Sequence, residues 1–127
     1  MGVANFIVLE RKIEGLDTMM DGKGLARHSE ALEAAAQQLG VRPLPEFFSA
    51  DPAQLAEFMH GEGMETESME LPALQQFPAE EGLATVRALL TQGSLWDEGV
   101  LHDLRDCERI LSVAAQNGMQ FHLEVDI

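Results

Sequence analysis

Phe121-His122-Leu123-Glu124-Val125-Asp126-Ile127 alternates apolar and polar residues without a break. Strict period two marks a strand with one face on a core and one toward water, because successive side chains point to opposite faces. Phe121, Leu123, Val125 and Ile127 form the apolar set; His122, Glu124 and Asp126 form the set expected to be wet. A lone strand leaves its backbone N–H and C=O groups unpaired and needs a neighbour. The other end of the chain offers one. Val3 to Leu9 is a nearly continuous apolar run containing Phe6-Ile7-Val8, which suits a strand buried on both faces. The economical arrangement pairs the first and last strands; the alternative is a sheet completed by a second subunit.

The intervening chain reads as helices separated by breakers. Gly15 to Gly24 carries three glycines and reads as a connection with a helical turn at Leu16–Met20. From Lys23 the period becomes helical: Leu25, His28, Ser29, Leu32, Ala35, Ala36 and Leu39 share a stripe, and Gly40 is the stop. Pro43 and Pro45 interrupt. Asp51-Pro52-Ala53-Gln54 reads as a capped helix start, followed by a short helix with Leu55, Phe58 and Met59 inward and Gly61 near its end. Glu62 to Glu70 reads as a polar loop. Pro78 opens the next helix, with Glu80 and Glu81 in its first turn and Leu83, Val86, Leu89 and Leu90 as its stripe, ended by Gly93. Ser94 and Asp97 frame the start of the longest helix, about Trp96 to Gln116. Its seam is Val100, Leu104, Cys107, Leu111 and Ala114, and Asn117-Gly118 stops it. The expected fold is α+β and mainly helical, with three to four helices packed on a small sheet formed by the N- and C-terminal strands. A single globular domain over 1–127 is expected.

The composition supports a globular core. At 127 residues, 46% apolar and 24% charged, the chain can bury a core without metal or disulfide staples. Its charge is one-sided: 22 acids against 8 Lys and Arg, a net −14. Nucleic acid and anionic membranes are recognised by basic surfaces, so both are disfavoured as partners. Cys107 is the one cysteine, so no intrachain disulfide forms and no oxidising compartment is implied. The N-terminal apolar run is far shorter than a bilayer span, and its bases, Arg11 and Lys12, follow it rather than precede it. A cytoplasmic setting is the expectation.

Three segments resemble a family of small bacterial proteins that carry a domain of unknown function: Val41-Arg42-Pro43-Leu44-Pro45-Glu46-Phe47-Phe48-Ser49, the run Ala79 to Leu90, and Val100 to Asp106 continuing through Phe121-His122-Leu123. The resemblance implies a stand-alone bacterial domain and brings no catalytic residues with it.

Candidate chemistry is sparse. Glu98, His102 and Asp106 fall at i, i+4 and i+8, so imidazole and carboxylates from adjacent turns could take a divalent metal. Arg105 and Arg109 are interleaved there, which equally describes a solvated face of ordinary charge pairs. His122, Glu124 and Asp126 could join that group, or simply be the wet side of their strand. His28 falls on an apolar stripe and reads as a hydrogen-bonded core residue. Cys107 reads as packing, with Asp106 and Glu108 beside it opposing thiolate formation. Asp21-Gly22-Lys23-Gly24 has the glycines of a phosphate loop without the surrounding framework. No cofactor signature and no specific metal motif is present.

The sharpest signal is the distribution of charge. Between Arg42 and Arg87 there is no Lys or Arg, while the same stretch holds nine acids: Glu46, Asp51, Glu57, Glu62, Glu65, Glu67, Glu70, Glu80 and Glu81. Such a field raises encounter rates with a basic partner. The expectation is an acidic protein-binding module, of the inhibitor or immunity type, that neutralises a basic protein through region 46–81. Glu62, Glu65, Glu67 and Glu70 would meet its cations, and Met64 and Met69 would be apolar anchors. The alternative is a small metal-dependent enzyme using a His/carboxylate cluster around His102 and His122. A third reading is a homodimer joined through the terminal strands.

Overall fold

The computed structural model describes residues 3–49 and 74–126. Its sheet has three antiparallel strands in the order β1-β3-β2, formed by β1 (Ala4–Leu9), β2 (Phe77–Pro78) and β3 (Gln120–Asp126). β1 and β3 pair along their length, from Ala4 opposite Asp126 to Leu9 opposite Phe121. The terminal strands therefore pair as expected. The second side of β3 is filled piecewise. Phe77 lies opposite Phe121, and further along Phe48 forms a parallel bridge to Leu123, with the Ser49 amide donating to the Leu123 carbonyl at 3.1 Å. β2 is only two residues long, too short for any periodicity to announce it.

Four α-helices pack on this sheet among the described residues: α1 (Lys23–Arg27), α2 (Ser29–Leu39), α3 (Ala79–Leu90) and α4 (Glu98–Gln116). The architecture is α+β. The Asp97 carboxylate caps α4 by accepting the Val100 amide at 2.9 Å. The predicted seam is buried as a whole, with Asp103 and Ile110 added to it. α3 lies against α4 and closes over the sheet, where the Phe121 ring sits so close to Gly82 that a Cβ there would fall 2.3 Å from it. Phe47, from the 3₁₀ turn Leu44–Phe47, packs edge-on to Phe77 at 5.4 Å and tilted against Phe121 at 5.2 Å. These aromatic rings tie the second side of β3 to the helical layer.

Three local expectations are corrected. The stripe from Leu25 to Leu39 is two helices, broken at His28, so that α1 packs on α4 and β1 while α2 turns toward α3. His28 is half-exposed at that break and pairs with Asp97 at 3.0 Å, rather than lying in the core. Leu16–Met20 forms no helical turn; Ile13, Leu16 and Met20 pack individually against the core instead. The helix expected after Asp51 lies outside the described residues.

Candidate functional site

Among the described residues, α4 carries the densest group of chemistry-bearing side chains. Ligand atoms of His102, Asp103 and Asp106 lie within 4.8 Å of one another. His102 Nδ1 is 3.4 Å from Asp106, and Arg109 approaches Asp106 from the next turn at 3.5 Å. Neither Glu98 nor His122 belongs to this group. Sequence reasoning misses Asp103, although it stands three residues after Val100 and four before Cys107, on the buried seam. An acid at such a position is the available signal.

Asp103 is almost fully buried, and its carboxylate has an internal occupation. One oxygen accepts the Gly22 amide at 3.0 Å; the other accepts Gly24 at 2.8 Å and Leu25 at 3.2 Å. These are the free donors at the start of α1, where a helix welcomes negative charge. The segment Asp21 to Gly24, which has a phosphate loop's glycines but not its framework, thus receives its anion from inside the protein. Both glycines are dictated by space. Gly22 has φ +73° with the Asn5 carbonyl oxygen 2.1 Å from where a Cβ would sit, and at Gly24 a Cβ would fall 2.7 Å from the Gly99 backbone. The cluster is therefore a clamp joining α4 to α1, bordered by a chain in which exposed His102 and Arg109 flank a partly buried Asp106. A cation there would compete with three N–H groups for Asp103 and with Arg109 for Asp106.

His122 overturns a second expectation. Phe121 and Leu123 face the helices, so the pleat directs His122 to the opposite side of the sheet, away from His102. It is nevertheless buried, at 3% exposure, although it lies on the face turned away from the helices. Its Nε2 lies 2.7 Å from Glu124 Oε2, a short charge-assisted contact along one strand face. Nδ1 is buried and has no hydrogen-bond partner among the described residues. A His–carboxylate pair is the base-orienting half of a catalytic triad. Here its free ring nitrogen is closed to solvent, and a substrate has no direct approach.

No family model, curated protein or solved structure matches the chain. The site must be read from its own geometry.

Cys107 is packing, as expected: burial pushes its thiol far above the ordinary range, and the neighbouring Asp103 and Asp106 charges add to the effect. Glu62, Glu65, Glu67, Glu70, Met64 and Met69, the residues expected to contact a partner, lie outside the described residues, as do Asp51 and Glu57. Of the nine acids in the central stretch, Glu46, Glu80 and Glu81 are described, and their side chains reach solvent. Arg42 stands beside two of them, 3.4 Å from Glu46 and 3.6 Å from Glu81. Its guanidinium also lies over the rings of Phe77 at 4.7 Å and Phe47 at 5.2 Å. None of the described helices is long and apolar enough to cross a membrane.

Proposed function

We propose that the protein is a non-catalytic binding module that docks its acidic central stretch against a basic protein, in the manner of an inhibitor or immunity protein. The reading rests on uncompensated charge. Nine acids between Arg42 and Arg87 have no Lys or Arg among them. Arg42, the cation at the boundary, is engaged by two of those acids and two aromatic rings and can offset only about one charge. At the other boundary, Arg87 is turned toward Glu108 of α4, 3.4 Å away. The acids of this stretch outnumber the two boundary cations, and a basic partner gains from such an excess both in steering and in register. A stand-alone bacterial, cytoplasmic protein fits this reading and the single buried thiol.

The test is binding to a panel of purified basic proteins, including cationic nucleases, across a salt series. Charge reversal at Glu62, Glu65, Glu67 and Glu70 is compared with reversal of two exposed acids elsewhere. The expected result is tight, salt-sensitive binding to a member of the panel that only the first set abolishes. Equal loss from both sets, or no binding at low salt, overturns the proposal.

A further inference from the structure

Among the described residues β1 is an edge strand, with β3 as its one strand neighbour. The β1–β3 ladder runs on through the Glu10 amide, which donates to the Gln120 carbonyl at 3.0 Å. Even-numbered residues of β1 therefore exchange hydrogen bonds with β3, and Asn5, Ile7 and Leu9 direct their backbone groups to the free edge. The Asn5 amide confirms that direction by donating outward to the Gly22 carbonyl at 3.0 Å. Past that contact, the Ile7 and Leu9 amides and carbonyls have no backbone partner among the described residues.

The chain from Glu10 to Gly22 returns alongside this edge without pairing with it. It is anchored at its far end by Gly22 on Asn5, and midway by Arg109, which donates to the Asp17 carbonyl. Leu16 and Met20 pack it against the core. Between strand and returning chain lies an open groove of about 570 Å³, lined, among the described residues, by the segment from Ala4 to Asp21. That volume is within the ~300–1,000 Å³ of ordinary ligand sites. Arg11 and Lys12 line it at the Leu9 end and Asp21 at the Asn5 end, while Met19, 79% exposed, offers an apolar wall. Two cations, against Asp21 in the same described lining, stand beside strand donors that have no backbone partner among the described residues, a small positive excess on a chain of net −14.

We propose that this groove binds an extended acidic peptide segment of a partner protein by strand addition. The segment becomes a fourth strand on β1, bonded to the backbone of Ile7 and Leu9, with its carboxylates at the Arg11–Lys12 end. Main-chain bonds of this kind supply affinity, and flanking side chains supply selectivity. An unpaired edge left open would otherwise invite pairing with any exposed strand. The site is separate from the acidic stretch of the proposed function, and either stands without the other.

The probe is a capped heptapeptide alternating Val with Asp or Glu, titrated into the full chain at low salt while backbone amide resonances are followed. Controls are the same peptide with Lys for its acids and one N-methylated at alternate positions. Saturable shifts centred on Ile7 and Leu9 are expected with the acidic peptide alone. The R11E/K12E double variant should bind about tenfold more weakly, as two exposed charge pairs turn from attraction to repulsion. Equal binding of the acidic and Lys peptides, insensitivity to N-methylation, or shifts away from β1 would overturn the proposal. So would concentration-dependent protection of Ile7 and Leu9 without peptide, which would make a second copy of the chain the occupant.

Discussion

Replacing Asp103 tests how the helical layer is fastened. Asp103→Ala leaves the Gly22, Gly24 and Leu25 amides, all in buried residues, without their acceptor. Hydrogen bonds to a charged group contribute ~1.5–3 kcal/mol each, so simple addition sets a ceiling of about 5–9 kcal/mol. These amides sit at the first turn of a five-residue helix, and loosening that turn lets water reach them. The expected loss is therefore about 3–5 kcal/mol, as for breaking a buried charged contact. With a slope near ~2 kcal/mol/M, the urea midpoint should fall by about 2 M. Asp103→Asn keeps the shape but faces N–H donors with its own NH₂ group, and should cost about 2–4 kcal/mol. Asp106→Asn, whose carboxylate is one-fifth exposed and meets His102 and Arg109 at 3.4 and 3.5 Å, should cost less than either Asp103 variant. Hydrogen exchange gives the local readout: the three amides should lose protection in both Asp103 variants and keep it in the Asp106 variant. If both Asp103 variants unfold within ~1 kcal/mol of the parent with those amides still protected, the clamp is not what holds α1.

Three further outcomes follow from the same geometry. Gly24→Ala improves helix propensity by ~1 kcal/mol, yet the 2.7 Å approach of the Gly99 backbone leaves no room for the methyl, so chemical denaturation should show net destabilisation. Cys107 should resist an aromatic disulfide reagent in the folded protein and react fully in denaturant, since burial and two nearby acids hold the thiol protonated. Asp97 is held below its ordinary value of 3.8, chiefly by the Val100 amide; desolvation opposes this, and His28 adds to the lowering. A depressed carboxylate stabilises the fold above the unfolded-state value and loses that contribution as pH falls through the folded-state value. Asp97→Asn should therefore lower the thermal midpoint at ~pH 6, and the gap to the parent should shrink below about pH 3.8.

Strand pairing, the long capped α4 and the packing role of Cys107 are legible because each is written in local order: period two, period three-four with a stop, and a thiol on an apolar seam. Asp103 is not, since an acid inside a helical seam looks like an interruption until its partners, some eighty positions earlier in the chain, are brought to it. His122 misleads for a related reason. Alternation determines which side chains share a face, but not whether that face meets water. That depends on what the tertiary structure lays over the face, and His122 ends with only 3% of its surface exposed. The excess of negative charge is likewise a property of the sequence alone. The groove beside β1 exists because the fold fastens the returning chain to the strand at Gly22 and holds Asp17 on Arg109 of α4 instead. Periodicity and composition act between near neighbours and need no partner to be read. Burial, satisfied hydrogen bonds and open edges are decided by which distant segments arrive, and only the tertiary structure brings them there.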